Sequence, residues 1–255
     1  MAVVDRPGQV PPVMVPAPVK PSIVFTVHDR PAYLRRTLES WERVRGISAA
    51  RLVFRCEPGC PGAVALCRSV GFAEATVTVN PRRYGVLTSP WHAFEDGFTA
   101  GRFTILAEED LIVSTDVLEY FTWCDQRYRD DPGVLGVTTH QHDAQPGGLA
   151  GIAPACWTGD DPPHLWVWAT WRDRWRRLLR ADWDHTYAHR GWDWRIRDHW
   201  VLGQGMRVMA PSMARSQHIG EHGGAHCMPG QFGALESRCF AGDVPPQDYR
   251  EVPAL

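Results

Sequence analysis

Three adjacent acidic residues, Glu108, Glu109 and Asp110, stand where the apolar run RFTILAE (102–108) ends. Carboxylates crowded at the mouth of a buried strand repel one another and are costly to desolvate. A bound cation relieves both penalties. Hard oxygen donors of this kind suit Mn²⁺ or Mg²⁺, above all when a ligand diphosphate fills the rest of the coordination shell. A solvated acidic turn is the simpler reading, and the triplet alone leaves both open. In open α/β sheets, ligands bind outside the carboxyl ends of the strands, which is where this cluster falls.

Other residues with chemical potential are less decisive. His218, His222 and His226 follow an H-x3-H-x3-H spacing, but Gly220, Gly223 and Gly224 oppose a helix there. The stretch reads as a Gly/His loop that orders over a bound ligand. Imidazole is softer than a Mn²⁺ site requires, so these histidines are poor first choices as its ligands. Seven cysteines, 56, 60, 67, 124, 156, 227 and 239, are an odd set for a disulfide framework. Cys56, Cys60 and Cys67 have no close fourth ligand for structural zinc and read as buried or free thiols.

The elements that must carry these groups alternate. SIVFTV (22–27), RLVFRC (51–56), ATVTVN (75–80), RFTILAE (102–108) and VLGVTT (134–139) read as buried strands. Helices are predicted from Pro31, from Pro61 to about residue 70, from Ser89-Pro90 to about residue 99, and over VLEYFTWCDQRY. Such alternation predicts an α/β fold, a mostly parallel sheet with helices on both faces. The stretch 164–180 reads as one helix, with Trp168, Trp171, Trp175, Leu178 and Leu179 on a core face. Arg172, Arg176, Arg177 and Arg180 fall elsewhere, as a solvated face or a basic ridge for nucleic acid. The six prolines within 1–21 predict an extended arm, with the domain starting at Ser22.

Composition bounds the answer. The 255 residues are 44% hydrophobic and 22% charged, which excludes a disordered or fibrous chain. A net charge of −2 announces no nucleic-acid or membrane partner. No apolar run of membrane-spanning length occurs, and the first residues do not resemble a signal peptide, so a cytoplasmic location is expected. Lys20 is the only lysine, an arginine bias that fits GC-rich coding in a bacterium or its phage. The 12 tryptophans can be core, sugar-stacking platforms or interface anchors.

Four segments in order also resemble glycosyltransferase family thirteen, the alpha-1,3-mannosyl-glycoprotein beta-1,2-N-acetylglucosaminyltransferase family. AEEDLIVSTDVLEYF (107–121) resembles its acidic metal motif and following helix. IVFTVHDRPAYLRRTLESW resembles its opening strand and helix. RGWDWRIRD (190–198) resembles its Trp-Asp-Asp-Trp stretch, with Trp192 in place of the first Asp. PSMARSQHIGEHGG (211–224) resembles its Pro-x-x-x-Arg run with spaced glycines.

The resemblance implies a GT-A (Rossmann-like) fold, with a nucleotide-sugar half at 22–140 and a smaller acceptor half at 141–255. It implies a UDP-sugar donor, a divalent cation and inversion at the anomeric carbon. Carried over, Asp110 holds the metal, while Glu108 and Glu109 meet the ribose or the metal's waters. Arg30 faces the nucleotide, Glu57 reads the uracil, and His92 lies near another nucleotide contact. Arg215 adds positive charge near the diphosphate or braces the site. Asp193 is the catalytic base, for which an ordinary helix N-terminal carboxylate is the plainer account. His140, His142 and Asp143 meet the donor sugar. Apart from the resemblance, Trp157, Trp166 and Trp168 read as rings that wall the acceptor pocket, with core as the plainer account of at least one.

The acceptor carries a hydroxyl: a small molecule, a nucleoside, a protein or a hydroxymethylated DNA base. The arginines of 172–180 favour DNA and the net charge disfavours it. A non-catalytic, Trp-rich carbohydrate or nucleic-acid binder is the alternative from another class. A nucleotidyltransferase or nuclease using 108–110 is a third.

Overall fold

The computed structural model describes residues 20–157, 164–223 and 232–253. The proline-rich arm, save its last two positions, and His226 and Cys227 lie outside the described residues.

The first half builds a parallel sheet. β1 (Ser22–Val27), β2 (Arg51–Cys56), β3 (Glu74–Val79) and β4 (Phe103–Glu108) match the predicted runs to within a residue. β1 lies between β2 and β4, with Phe25 opposite both Phe54 and Ala107. β-branched and aromatic side chains fill both faces of β1, which is buried from Ser22 to Phe25. β5 (Leu111–Val113) leaves this sheet and pairs antiparallel with β10 (Ser216–His218). β6 (Val134–Thr138), β7 (Gly151–Pro154), β8 (Trp168–Trp171), β9 (Arg207–Pro211) and β11 (Arg250–Glu251) complete the main sheet. Its nine described strands run β11-β7-β9-β6-β8-β4-β1-β2-β3.

One predicted element is overturned here. The stretch 164–180 is not a single helix. Its first part is β8, which runs antiparallel between β4 and β6 and is buried throughout. The sequence WVWATW is aromatic and β-branched, so it suits a pleated, doubly covered position better than a helix. Helical turns cover only 172–182, with wide π-type turns over 175–179. The expected basic ridge shrinks with it. Arg174 is buried against Trp171 and binds the Asp131 and Tyr128 carbonyls, Arg172 binds the Gly101 carbonyl, and Arg180 pairs with Glu95.

Helices cover both faces. α1 (Pro31–Glu42), α2 (Pro61–Arg68) and α4 (Val117–Tyr128) lie over one face, where Leu34, Trp41, Tyr120 and Phe121 pack on Ile23, Phe25 and Ile105. α3 (Gly85–Gly97) lies over the other, with Phe94, Trp168, Trp175, Trp183 and Trp192 around Val24 and Leu106. Six tryptophans, at 41, 168, 171, 175, 183 and 192, are therefore core.

α3 begins a turn before the predicted start, so Pro90 sits inside it. Proline has no N–H to offer the carbonyl four residues back. That carbonyl, on Val86, instead accepts the indole N–H of Trp192 at 3.3 Å, and its neighbour on Leu87 accepts that of Trp183 at 2.8 Å. Trp192 is thereby pinned between Trp183 and Trp168, with ring centroids 4.8 and 5.8 Å away. The residue after it is Asp193.

Candidate active site

β1, β2 and β4 end side by side, so their carboxyl ends deliver His28–Arg30, Glu57 and Glu108–Asp110 to one edge of the sheet. Glu109 and Asp110 are only 4% and 2% exposed, and Glu108 is partly covered. Arg30 answers two of the three charges. Its Nη2 stands 2.6 Å from Glu109 Oε1 and its Nη1 2.8 Å from Asp110 Oδ2. His218, at the end of β10, approaches the same Oδ2 with Nε2 at 3.2 Å.

The three carboxyls consequently part company. Burial and the charges of Asp110 and Glu109 push Glu108 well above the usual carboxylate range. Burial also raises Glu109, against the opposing pull of Arg30. Burial would raise Asp110 too, but the hydrogen bond from His218 and the charge of Arg30 hold it below its ordinary value. Asp110 is therefore the most acidic of the three.

Its second oxygen, Oδ1, is buried without a hydrogen-bond partner. An orphaned anionic oxygen of this kind is costly unless a cation or donor reaches it. Among the described residues, no three His, Cys, Asp or Glu side chains converge as metal ligands. The residues thus fit a cation held by one protein carboxylate, its remaining positions filled by diphosphate and water.

Backbone geometry fixes this arrangement. The Ile219 N–H donates to the Asp110 carbonyl at 2.9 Å, which presses the chain after β10 onto the cluster. A Cβ at Gly220 would collide with Asp110 Oδ2 and stand 3.0 Å from Arg30 Nη1. Gly220→Ala is expected to cost ~1–3 kcal/mol, as overpacking does. Urea titration checks this, and an unchanged midpoint would mean that the contact is slack.

Asp193 lies within electrostatic reach of the cluster. Its charge is close enough to contribute to the upward shift of Glu108. Desolvation raises Asp193 itself to about 6. Its neighbour in sequence, Trp192, is buried in a stack with Trp183 and Trp168, which gives the chain here an apolar setting. Gly191 and Arg190 turn the chain into this position at φ 108° and 65°. Asp193 Oδ1 accepts the Trp194 N–H at 2.9 Å. The basic neighbours are engaged elsewhere: Arg195 pairs with Asp182 at 2.6 Å, and Arg190 lies over the Trp194 ring.

Three expected ligand contacts have other partners. Glu57 is buried, and its carboxylate accepts the Tyr84 and Gly85 N–H groups at 3.0 and 2.8 Å. It holds the start of α3 in place. His92 stacks on Tyr84 with centroids 4.2 Å apart, and burial and the Arg55 charge lower its pKa. Of the two readings of Arg215, a charge beside the diphosphate or a brace, its surroundings favour the brace. It is fully buried, paired with Asp116 at 2.9 Å, and donates to the Met213 and Leu149 carbonyls. It braces the small β5–β10 sheet, which in turn carries His218.

Sequence reasoning missed Gly220, whose signal was only its place in a spaced-glycine run, and missed the role of Pro90. Trp168 is core rather than an acceptor wall, whereas Trp157 and Trp166 remain partly exposed. Cys56, Cys60, Cys67, Cys124 and Cys239 are free and buried, and Cys56 and Cys67 stand 3.9 Å apart between sulfurs.

No family model and no curated protein matches the chain. Solved structures do. The mannosyltransferase PcManGT from Pyrobaculum calidifontis, in complex with GDP-Man and Mn²⁺, aligns at 16% identity and a TM-score of 0.50, over 75% of this chain and 55% of its own. S. aureus TarS 1–349 in complex with UDP-GlcNAc aligns at 10% identity and a TM-score of 0.52, over 77% of this chain and 57% of its own. The chain thus spans little more than half the length of either. At these identities the likeness is one of fold: a mixed α/β architecture of GT-A type.

Proposed function

We propose that the chain is a cytoplasmic, metal-dependent, inverting glycosyltransferase that moves a sugar, GlcNAc or glucose, from UDP to a hydroxyl acceptor. The resemblance to family thirteen belongs to this reading, as does the division into a nucleotide-sugar half (22–140) and an acceptor half (141–255). One observation carries it. A desolvated carboxyl, Asp193, lies within electrostatic reach of a buried acidic cluster whose most acidic member, Asp110, keeps one oxygen without a hydrogen-bond partner. The GDP-Man, UDP-GlcNAc and Mn²⁺ named with the structural neighbours support the donor class and the metal. The free thiols of Cys56, Cys60, Cys67, Cys124 and Cys239 accord with a reducing compartment. No helix among the described residues is long and apolar enough to cross a membrane.

The chain's own groups divide the work. Asp193 accepts the proton of the acceptor hydroxyl as that oxygen attacks the anomeric carbon and the bond to UDP breaks, so configuration inverts. A carboxylate with a pKa near 6 is ionised at neutral pH yet basic enough to assist. Asp110 Oδ1 is the atom that would hold Mn²⁺ or Mg²⁺, which when bound neutralises charge growing on the departing diphosphate. Arg30 keeps Glu109 and Asp110 in register and adds fixed positive charge to the same edge. A Trp-rich binding module is less well supported, because half the tryptophans are committed to the core. A DNA acceptor is less well supported, with Arg172 and Arg180 engaged and only Arg176 and Arg177 of the expected ridge left exposed and outside these pairings.

A donor screen by UDP release tests the reading. UDP-GlcNAc or UDP-glucose hydrolysis is expected with Mn²⁺ or Mg²⁺, and EDTA should suppress it. Asp110→Ala should fall to the EDTA level. Turnover that ignores EDTA, or binding confined to nucleotides other than uridine, would overturn it.

A further inference from the structure

The first turn of α3 is held from one side and grips the chain on the other. On the first side is Glu57, 3% exposed, whose carboxylate accepts the Tyr84 and Gly85 N–H groups. The opening N–H groups of a helix have no partner within it, and a carboxylate there also meets the positive end of the helix dipole. Glu57 is itself fixed, because its N–H donates to the Val27 carbonyl at 2.8 Å. It follows β2, at the sheet edge that also carries Arg30 and Asp110.

On the second side, three consecutive residues of α3 grip the segment 183–193. The Val86 carbonyl accepts the Trp192 indole N–H, the Leu87 carbonyl accepts that of Trp183, and Thr88 Oγ1 meets His185 Nδ1 at 3.2 Å. The Val86 carbonyl is open to an indole because Pro90 has no N–H to offer it. Trp183 and Trp192 stack with ring planes 11° apart, so the segment leaves and returns at one place. A Cβ at Gly191 would stand 3.2 Å from both Leu87 Cδ2 and Asp193 Oδ1. The Leu87 side chain and the Asp193 carboxyl therefore flank the same backbone position. The contacts from Glu57 to Asp193 run through backbone amides, two carbonyls and two indoles, all of them rigid groups.

We propose that Glu57 is a positioning residue: it sets the first turn of α3, and that turn holds Asp193 where the acceptor hydroxyl gives up its proton. The inference rests on Asp193 being the base of the proposed reaction. It replaces a uracil contact for Glu57, since both carboxylate oxygens already accept from the helix. A base displaced by about 1 Å can lose ~10²-fold in rate.

Glu57→Ala and Trp192→Phe, singly and together, test this against the wild type. In Glu57→Ala, kcat for UDP release from UDP-GlcNAc or UDP-glucose with Mn²⁺ should fall by roughly 10–10²-fold. Calorimetric UDP affinity should stay at the wild-type value. Trp192→Phe keeps a ring in the stack, loses the hydrogen bond to Val86, and should show the same split. Both changes act on one strut, so the double variant should lose less than the product of the two single losses. A further readout needs no turnover. The indole N–H resonances of Trp183 and Trp192 should shift in Glu57→Ala, while that of Trp171, bound to Asp125, stays. Weakened UDP binding in Glu57→Ala, unmoved Trp183 and Trp192 signals, or single losses that multiply would each overturn the inference. A wild type that releases no UDP, or a rate unaffected by Asp193→Asn, overturns the functional reading instead, and the indole signals still report on the strut. If Glu57→Ala does not fold, Glu57→Gln, which keeps one acceptor oxygen, takes its place.

Discussion

Asp193→Asn is expected to lower turnover by ~10²–10⁴-fold, the usual worth of a positioned general base, with UDP affinity unchanged. Asparagine keeps the shape and still accepts the Trp194 N–H, so the loss isolates proton transfer. The pH profile is the sharper readout. Desolvation raises the Asp193 pKa to about 6, and only the ionised form can take a proton. The wild-type rate should therefore climb tenfold per pH unit below about 6 and level off above it. The asparagine variant should lack that limb. Stability should run the other way. A carboxyl whose pKa is raised on folding stabilises the fold below the ordinary carboxylate range, and that contribution is lost as pH rises through about 6. An activity limb that survives in Asp193→Asn would assign the titration to another group and remove Asp193 from its role.

Arg215→Leu is expected to be among the most destabilising single changes in the molecule, at ~3–5 kcal/mol, because it strands a buried carboxylate. Asp116 is fully buried; its Oδ2 is shared by Arg215 and by Tyr249 OH at 2.7 Å, and its Oδ1 accepts from Ser114 Oγ at 2.6 Å. Removing the guanidinium leaves that charge with hydroxyl donors alone and frees the Met213 and Leu149 carbonyls. A urea titration should give a much lower midpoint. Removing both charges together, as Arg215→Leu with Asp116→Leu, should cost less than the sum of the two single changes. If Arg215→Leu kept its midpoint and lost donor affinity instead, the residue would be a diphosphate contact after all.

How far these groups could be read before folding depends on how local their signals are. The four strands of the first half were legible because each is a short apolar run closed by a turn, and the acidic triplet because it sits at such a boundary. β8 was misread because an aromatic-rich segment buried on both faces has no period of its own. Only its pairing with β4 and β6 makes it a strand. The early start of α3 was hidden for a related reason. Pro90 reads locally as a first-turn residue, and what makes it tolerable inside the helix is an indole from 102 positions further along the chain.

The amino-acid sequence by itself determined the α/β alternation, the placing of Glu108–Asp110 at a strand's carboxyl end, and the presence of a second acidic residue beside tryptophans at 193. Those are properties of neighbours along the chain. Which carboxyl is the most acidic, and that Arg215 is buried against Asp116, were decided only by the tertiary structure. So was the nearness of Asp193 to the cluster, felt as a charge at Glu108. Ionisation and hydrogen bonding depend on what surrounds a group in space, and here those surroundings come from segments up to 133 residues apart, as with Asp116 and Tyr249.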